Sequence, residues 1–257
     1  MTAISQAVIL MAGSGSRLRG SDLTFLKPFV PVLGRPLICY TMDALIHARI
    51  RKVNFIVGYQ SGRMMAQINE LIPSELEPSF IENPNWQKQN GISLLVAADS
   101  LDGPFLLTMS DHLFDDGIVD LLMNSTDPSV LNVAVDRKLD SIFDLDDAMK
   151  VQTRGNRIVG IGKNLRDYDA IDTGLFICPP EIFEYLERAK QKGDCSLADG
   201  VRLMATDGKA CAMDIGAAWW QDVDTPEMLR RAEEHLRGRD ARDFSARNIQ
   251  PCDTCEH

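Results

Sequence analysis

The chain alternates short apolar runs with segments in which apolar residues recur every three to four positions. An apolar run of four to eight residues bounded by turn residues is typical of a buried strand, whereas the longer spacing is typical of a helix with one buried face. The clearest strand signals are AVILMA at 7–12 and FLLTM at 105–109. The pattern predicts strands at 7–12, 53–57, 80–81, 105–109, 130–135, 173–178 and 210–215, and helices at 36–48, 63–72, 117–123, 180–189 and 197–204.

The order of these elements predicts the fold class. Strands that alternate with helices pair in parallel through right-handed crossovers, which place helices on both faces of the sheet. We therefore expect an α/β fold with a mostly parallel central sheet. Residues 149–153 and 157–161 flank Gly155-Asn156 and are expected to form an exposed β-hairpin. The apolar segment 93–98 fits either a strand or a helix.

The C-terminal region contains one more predicted helix. Thr225 is a capping residue, Pro226 occupies the first helical position, and Gly238 is expected to end the helix. The following stretch is rich in Arg and Asp, so residues 239–257 are expected to form a weakly ordered tail. No repeat and no Pro/Gly/Ser-rich linker interrupts residues 1–238, which are therefore predicted to form one domain.

Composition and charge narrow the class of protein. The 257 residues are 45% apolar and 25% charged, as in ordinary globular proteins, and carry a formal net charge of −10. An acidic chain binds nucleic acid and anionic membranes poorly, so we expect neither as a partner. No apolar run approaches the roughly 20 residues of a membrane span, and the N-terminus lacks the basic region of a signal peptide. We therefore expect a cytoplasmic protein.

The cysteines agree with a reducing compartment. Cys252-x-x-Cys255 with His257 offers three metal or redox ligands, but no fourth lies close in sequence, so we interpret this group as part of the tail. The other four cysteines are isolated in the sequence and are predicted to be reduced thiols. These are Cys39, Cys178, Cys195 and Cys211.

The strongest functional signal follows the first predicted strand. It reads Gly13-Ser14-Gly15-Ser16-Arg17-Leu18, with Lys27-Pro28 downstream. Glycines directly after a buried strand let the backbone turn sharply, and successive amides in such a turn form a concavity that binds anions. Arg17 and Lys27 add the positive charge that phosphate oxygens require. A simple turn with a surface arginine also contains Gly-x-Gly, but the preceding strand and the Lys-Pro favour a phosphate-binding loop.

Two common phosphate motifs do not fit this loop. A dinucleotide-binding fingerprint requires a third glycine where this chain has Leu18, which argues against a Rossmann oxidoreductase. A Walker A loop requires Gly-Lys-Ser/Thr, whereas the corresponding residues here are Gly20-Ser21-Asp22. The chain is therefore predicted to bind phosphate through a glycine-rich loop of another type.

The loop Gly13-Ser14-Gly15-Ser16-Arg17 and Lys27-Pro28, together with Val32-Leu33-Gly34-Arg35-Pro36-Leu37, resemble the start of the nucleoside-triphosphate transferases. This is the superfamily of the sugar-phosphate nucleotidyltransferases. The resemblance extends to about Leu236 and implies the Rossmann-like three-layer α/β/α nucleotidyltransferase fold, in which the hairpin serves the acceptor site. Shorter segments are most similar to inositol-1-phosphate cytidylyltransferases. They are NGISL at 90–94, MSDH at 109–112, YDAIDTG at 168–174 and DVDTPE at 222–227.

Three carboxylates are candidates for a Mg²⁺ site. Asp111 follows the strand 105–109 and so lies at the carboxyl end of the sheet, where open α/β sheets bind ligands. Asp222 and Asp224 are two residues apart and face the same way in an extended chain. Gathered carboxylates favour a cation, and Mg²⁺ takes one or two of them with phosphate oxygens and water. The resemblance also implies metal binding for Asp111 and the later pair, and for Asp222 we favour this role over that of a turn or capping residue.

The resemblance assigns catalysis to positive charge. An acceptor phosphate attacks the α-phosphorus of the nucleotide and pyrophosphate leaves, so two anions must be brought together. Lys27 and Arg17 are expected to stabilise the developing charge, and no general base is needed because the nucleophile is already an ionised phosphate. Lys163 resembles the lysine that contacts the acceptor phosphate, although a solvated lysine after a strand fits the sequence equally well.

The remaining candidates bind the nucleotide and the acceptor. The resemblance implies that 90–93 reads a pyrimidine base, while the strand start at 172–174 suits the hydroxyls of a polyol. Trp219-Trp220 fits either a wall of the acceptor pocket, also suited to a quaternary amine, or the core. The expected nucleotide-binding residues are Met11, Ala12, Gly13, Ser14, Gly15, Ser16, Asn90, Gly91 and Ser93. The expected acceptor-binding residues are Asp172, Thr173, Gly174 and Trp220.

The sequence therefore favours a Mg²⁺-dependent cytidylyltransferase that couples CTP to inositol 1-phosphate or a similar small phosphorylated polyol and releases pyrophosphate. A sugar 1-phosphate, phosphocholine and an aminoalkylphosphonate stay open as acceptors. A non-catalytic nucleotide-binding protein on the same fold is a second alternative, against which the full set of cations and carboxylates argues. The resembling enzymes are often fused to a membrane-embedded synthase. The chain is therefore either a stand-alone enzyme that passes its product to a downstream membrane synthase or a fragment of a fusion.

Overall fold

The computed structural model describes residues 4–20, 22, 24–125 and 127–247. Within these residues thirteen strands and eight α-helices follow one another along the chain. The strands are β1 (Gln6–Leu10), β2 (Pro31–Val32), β3 (Arg35–Pro36), β4 (Lys52–Val57), β5 (Glu77–Glu82), β6 (Phe105–Met109), β7 (His112–Phe114), β8 (Leu131–Asp136), β9 (Lys150–Arg154), β10 (Arg157–Gly162), β11 (Ala170–Cys178), β12 (Ala210–Asp214) and β13 (Trp220–Asp222). The helices are α1 (Ser16–Arg19), α2 (Leu37–His47), α3 (Ser61–Leu71), α4 (Asn90–Leu95), α5 (Gly117–Ser125), α6 (Ile182–Ala189), α7 (Leu197–Thr206) and α8 (Pro226–Arg247).

Nine of the described strands form one central sheet in the order β5-β4-β1-β6-β11-β8-β12-β10-β9. The pairing directions make seven of these nine strands parallel to one another, while β10 and β11 run the opposite way. The expected α/β class with a mostly parallel central sheet is confirmed. Because β11 is reversed, its amino end lies at the same edge as the carboxyl ends of its neighbours.

Alternate residues of each central strand belong to different halves of the core. Val8 and Leu10 of β1 pack in one apolar cluster with residues of α4, α6 and α7. Ala7 and Ile9 pack in a second cluster with residues of α2, α3 and α5. Since successive strand side chains point to opposite faces, the sheet is covered by helices on both sides. The three-layer α/β/α arrangement follows from this burial.

Most predicted elements are present, and the differences lie in short pairings. The segment 93–98 is not a strand: it forms the end of α4, a turn and the start of a 3₁₀ turn. The hairpin of β9 and β10 forms around Gly155, whose φ is 64°. It does not project from the sheet, however, because β10 pairs with β12 and β9 pairs with β11. Two small sheets, β2 with β3 and β7 with β13, have no counterpart among the predicted strands.

The last described helix is longer than expected. Thr225 caps it as predicted, with its Oγ1 accepting a hydrogen bond from the Met228 amide at 3.2 Å. The expected end at Gly238 is wrong, because α8 continues to Arg247. A single helical glycine costs only about 1 kcal/mol relative to alanine, and Arg239 beyond it forms an ion pair with Asp115 of the main body. Residues 239–247, expected in the tail, therefore continue the helix.

The tail motif of Cys252, Cys255 and His257 lies outside the described residues. The other four cysteines form no disulfide, as predicted, and three of them are buried. Over the part of the chain that the structure describes, none of the helices combines the length and apolar character that a membrane crossing requires.

Candidate active site

A cleft of about 590 Å³ opens at the edge of the sheet where the parallel strands end. A smaller recess of about 290 Å³ adjoins it beside the glycine-rich loop. The two share lining residues, so they form one continuous site. The shared residues are Leu10, Gly13, Arg17, Asp111 and Asp224.

Backbone hydrogen bonds anchor the start of the glycine-rich loop. Met11 and Ala12 are buried directly after β1, and the Met11 amide donates to the Ile56 carbonyl at 3.0 Å. The segment from Gly13 to Ser16 then lines the recess. Gly15 has a φ of 59°, and a Cβ there would lie 2.8 Å from the Cβ of Lys27. The absence of a side chain at Gly15 thus lets Lys27 pack against the loop.

Lys27 is a buried cation between two carboxylates. It begins a short 3₁₀ turn, Lys27–Phe29, and is 7% exposed. Its Nζ donates to Asp111 Oδ2 at 2.6 Å and also to Asp224. Burial by itself lowers the pKa of Lys27, but the two carboxylates outweigh that effect and raise it. The ammonium group is therefore charged at neutral pH.

Asp111 connects this lysine to an aromatic wall of the cleft. Its Oδ1 pairs with His112 Nδ1 at 2.7 Å. Burial opposes ionisation of Asp111, but Lys27 and His112 hold the pKa of its carboxyl well below the usual range. The His112 ring is stacked on Trp220, with the ring centroids 6.0 Å apart. It also packs over Gly174, where a Cβ would lie 2.6 Å from His112 Nε2.

The small sheet of β7 and β13 brings the late Asp-x-Asp to Asp111. Asp222 is the register partner of His112, and the Val223 amide donates to the Asp111 carbonyl at 2.8 Å. Burial raises the pKa of Asp222, and the nearby carboxylates of Asp224 and Asp111 raise it further. The three predicted metal ligands therefore line the same cleft.

No group of three or more His, Cys, Asp or Glu side chains within the described residues has the arrangement of a metal site. Asp224 and Asp111 are instead bridged by Lys27. A Mg²⁺ ion requires fewer protein ligands than such a group, because phosphate oxygens and water complete its shell. Asp222, a half-buried carboxylate with Asp111 and Asp224 nearby, could hold a hard cation of this kind together with Asp111.

Arg17 and Lys163 meet at a residue that the sequence did not single out. Arg17 donates to Asp147 Oδ2 at 2.7 Å and also pairs with Asp224. Lys163, after β10, donates to Asp147 Oδ1 at 2.5 Å. The hydrogen bond from Lys163 lowers the pKa of Asp147, aided by Arg17 and opposed by burial. The two expected phosphate-binding cations thus share one carboxylate.

Of the residues expected to bind the base, Asn90 and Ser93 lie in the cleft and Gly91 lies in the core. Asn90 and Ser93 line the cleft, where Ser93 also accepts a hydrogen bond from Asn83 Nδ2 at 2.9 Å. Asn90 Oδ1 accepts one from the Leu197 amide at 2.8 Å. Gly91 faces away from the cleft, and a Cβ there would lie 2.6 Å from the Cys195 carbonyl. The structure therefore places Gly91 in the packing of α4 against the start of α7.

The expected acceptor residues likewise differ in orientation. Asp172 and Gly174 line the cleft, since the amino end of the reversed β11 reaches this edge. Asp172 Oδ1 accepts a hydrogen bond from the Gly174 amide at 2.8 Å. Burial raises the pKa of Asp172 to about 6, against the effects of Gly174 and His112. Thr173 is buried and donates to the Ala134 carbonyl at 2.9 Å, so its side chain serves the sheet.

Aromatic side chains form the far wall of the cleft. Trp220 donates from Nε1 to Asp136 Oδ2 at 3.0 Å, in addition to stacking on His112. Trp219 stacks on His235 of α8 at 4.0 Å between centroids. The guanidinium group of Arg231 lies over the ring of Phe143, with its Cζ atom 3.8 Å from the ring centroid. Each of these rings is thus in contact with a side chain of the chain itself.

Sequence reasoning missed Asp136, His235 and Asp147. Asp136 could have been found from the sequence, because it follows the apolar run 130–135 much as Asp111 follows the apolar run 105–109. His235 reaches the cleft only through the docking of α8. Asp147 lies in the acidic segment DLDDAMK at 144–150, whose pattern does not distinguish it from its neighbours.

An α/β sheet with a glycine-rich loop, a buried lysine and several carboxylates at its carboxyl edge defines a nucleotide-binding protein of the α/β class. The family model described as nucleotidyl transferase matches residues 6–138. The chain belongs to this family and is a nucleotidyltransferase. The resemblance found in the sequence is thereby confirmed.

Relatives at about 30% identity are described as bifunctional IPC transferase and DIPP synthase. One, from Aquifex aeolicus (strain VF5), is 30% identical over 235 residues, which are 91% of this chain and 52% of that protein. Another, from Thermococcus kodakarensis, is 32% identical over 234 residues, 90% of this chain and 50% of that protein. The chain therefore spans about half the length of these curated relatives.

Solved structures share the fold. The inositol-1-phosphate CTP transferase from T. maritima has a TM-score of 0.79 and 23% identity over 90% of this chain and 97% of that chain. A UDP-glucose pyrophosphorylase from Acinetobacter baumanii has a TM-score of 0.72 and 18% identity over 90% of this chain and 93% of that chain. This likeness confirms the Rossmann-like nucleotidyltransferase fold.

Proposed function

We propose that this nucleotidyltransferase couples CTP to inositol 1-phosphate, or to a closely similar phosphorylated polyol, with release of pyrophosphate and with Mg²⁺ as cofactor. The names of the relatives and of the structural neighbour from T. maritima support this acceptor and this nucleotide. The observation that carries the chemistry is Lys27, a buried ammonium group held between Asp111 and Asp224 at the mouth of the glycine-rich loop. The cytoplasm is the proposed compartment.

The residues of this chain supply positioning and charge neutralisation. Lys27, Arg17 and the loop amides at 13–16 bind the phosphates of the nucleotide, and Lys163 binds the phosphate of the acceptor. Both reactants are anions, so bringing them together and stabilising the developing charge is the main requirement of the reaction. The attacking oxygen belongs to an ionised phosphate, so no side chain has to remove a proton from it.

Asp111 and Asp222 are the proposed Mg²⁺ ligands, with Asp224 holding Lys27 and Arg17 beside them. Burial raises the pKa of Asp222 most, and the neighbouring carboxylates add to this effect against His112, so a cation bound there would favour the ionised carboxylate. When bound, Mg²⁺ supplies further charge neutralisation for the phosphate oxygens.

The base-binding end supports a pyrimidine. The hydrogen bond from the Leu197 amide fixes the orientation of the Asn90 side chain, so its NH₂ group is the part left for a ligand. That group can donate to the O2 atom of a pyrimidine. We infer that Asn90 and Ser93 contact the base, and that Gly91 contributes by holding α4 close to α7.

Asp172 favours a polyol among the acceptors. A carboxylate with one oxygen on the Gly174 amide keeps acceptor capacity for hydroxyl groups that enter the cleft. A quaternary amine binds best in a cage of free aromatic faces, whereas one face each of Trp219, Trp220 and Phe143 is already covered by a side chain of this protein. A sugar 1-phosphate is therefore the next candidate, ahead of phosphocholine and an aminoalkylphosphonate. The names of the relatives include a synthase activity, which supports a downstream synthase as the user of the product.

The direct test is pyrophosphate release in a matrix of four nucleoside triphosphates and four acceptors, with Mg²⁺. The acceptors are inositol 1-phosphate, glucose 1-phosphate, phosphocholine and 2-aminoethylphosphonate. The proposal expects release with CTP and inositol 1-phosphate well above every other pair. Release with CTP and another acceptor would refute the assignment of Asp172, and release with another nucleotide would refute that of Asn90.

A further inference from the structure

Asp147 spans the cleft between two cations. Its Oδ2 accepts a hydrogen bond from Arg17 at 2.7 Å, and its Oδ1 accepts one from Lys163 Nζ at 2.5 Å. Arg17 belongs to α1, beside the glycine-rich loop, whereas Lys163 follows β10; the proposed function assigns the nucleotide to Arg17 and the acceptor to Lys163. One carboxylate therefore occupies hydrogen-bonding groups of both cations at once.

Contacts other than those with Asp147 hold the Arg17 side chain and the main chain of Lys163. Arg17 is also paired with Asp224. The backbone of Lys163 is held by Lys150, a buried lysine whose Nζ donates to the Lys163 carbonyl at 2.9 Å. Arg17 thus has a second carboxylate partner and the main chain of Lys163 has its own contact, while the oxygens of Asp147 occupy the side-chain positions that phosphate oxygens would take.

We propose that Asp147 is a resident counter-anion, which competes with substrate phosphates for Arg17 and Lys163 and so sets the affinity of the cleft for anions. This inference rests on the proposed function, in which both cations bind phosphate. No other described acidic side chain bridges these two cations.

The exposure of the three side chains explains why a substrate can displace Asp147. Arg17, Asp147 and Lys163 are 53%, 42% and 49% exposed. Ion pairs at such exposure are weak, because water and salt screen them. A triphosphate offers several charged oxygens and also contacts Lys27 and the loop amides, so it replaces Asp147 readily. Inorganic phosphate makes fewer contacts and binds more weakly overall, but it competes with the same carboxylate.

The test compares Asp147→Asn with the matched control Asp146→Asn. Asp146 lies on the same turn and is exposed, and its carbonyl rather than its side chain contacts Lys150. Quenching of tryptophan fluorescence reports binding, because all three tryptophans, Trp86, Trp219 and Trp220, line the cleft. The titrated ligands are CTP, ATP and inorganic phosphate.

Asp147→Asn is expected to bind CTP, ATP and inorganic phosphate about two- to fivefold more tightly than the wild type, the fold-change of a weak ion pair. The KM values for nucleotide and acceptor are expected to fall by similar factors while kcat stays unchanged, since competition affects binding alone. Asp146→Asn is expected to match the wild type. Unchanged or weaker binding in Asp147→Asn, or a fall in its kcat, overturns the inference.

Arg17→Gln separates this inference from the proposed function. The proposed function expects Arg17→Gln to bind every triphosphate more weakly. If it does so while Asp147→Asn binds as the wild type, the counter-anion inference alone fails. If Arg17→Gln binds triphosphates as tightly as the wild type, the phosphate role of Arg17 is wrong and the inference falls with it.

Discussion

Lys27 forms ion pairs inside the folded protein and is also the proposed cation that stabilises the reacting phosphates. Replacing it by Met is expected to lower turnover by a factor on the order of 10² or more, because charge stabilisation at the developing transition state is lost. The free energy of unfolding is also expected to fall by about 3–5 kcal/mol, since a buried pair is broken and Asp111 stays behind. Steady-state pyrophosphate release and urea unfolding measure the two effects.

The double variant Lys27→Met/Asp111→Asn separates these effects. Removing the second charge is expected to restore part of the lost stability, because the carboxylate no longer lacks its partner. Turnover is expected to stay low, because both the lysine and a proposed Mg²⁺ ligand are absent. If turnover returned together with stability, the role of Lys27 would be structural and its catalytic assignment wrong.

Asp172 gives a pH-dependent prediction. Its pKa is raised from 3.8 to about 6 in the folded protein, so between these values the folded state holds a proton that the unfolded chain releases. The free energy of unfolding therefore falls as pH rises through this window and stays lower above it. Asp172→Asn cannot ionise and so does not lose this stability. Its free energy of unfolding is expected to exceed that of the wild type by about 1–3 kcal/mol at pH 8.

The difference between Asp172→Asn and the wild type is expected to shrink toward pH 4, as measured by chemical denaturation at several pH values. At neutral pH the KM for the acceptor is expected to rise in this variant, since the ionised carboxylate is lost. A stability difference that is constant from pH 4 to pH 8 would contradict the assignment of the raised pKa to Asp172.

At the scale of elements, Gly91 tests how α4 is held. A Cβ at Gly91 meets the Cys195 carbonyl at 2.6 Å, so Gly91→Ala must push α4 away from the start of α7. We expect a loss of about 1–3 kcal/mol in the free energy of unfolding. Gly62→Ala in α3 is the control: nothing lies within 4 Å of its Cβ, and we expect a gain of about 0.5–1 kcal/mol. Equal stabilities of the two variants would refute the packing role of Gly91.

The sequence predicted those elements in which the hydrophobic pattern repeats over enough residues to be recognised. β1, β6 and α2 each have several consecutive residues in one pattern, so their burial is visible in the sequence. β7 and β13 have three residues each, which is too short for a period, and they exist because they pair with each other. The continuation of α8 beyond Gly238 depends in the same way on a tertiary contact, the ion pair of Arg239 with Asp115.

The candidate site was predictable to the extent that it follows strand ends. The loop after β1 and Asp111 after β6 lie at one edge because parallel strands end together. The direction of individual side chains was not predictable: Thr173 points to the sheet and Asp172, its neighbour, to the cleft. Asp147 joins Arg17 to Lys163 across 130 and 16 residues of sequence, a contact that only the folded chain creates.

At the scale of the whole molecule, the cleft joins both halves of the sheet. Its walls come from the ends of β1 and β6, the amino end of β11, and His235 on α8. A ligand that binds there contacts elements on both sides of the core. Because it binds the folded state alone, it stabilises the entire domain rather than one segment.

CTP with Mg²⁺ is therefore expected to raise the melting temperature of the protein. At a ligand concentration about 100 times Kd, the stabilisation is about 2.7 kcal/mol, which corresponds to roughly 5–10 °C for a chain of this size. CTP with a chelator is expected to give a smaller shift, because the carboxylates around Lys27 then repel the triphosphate without a neutralising cation. Asp111→Asn is expected to reduce the difference between the two conditions. Equal shifts with and without Mg²⁺ in the wild type would show that Asp111 and Asp222 do not hold the metal with the nucleotide, and a larger shift with ATP than with CTP would show that the base is not read as a pyrimidine.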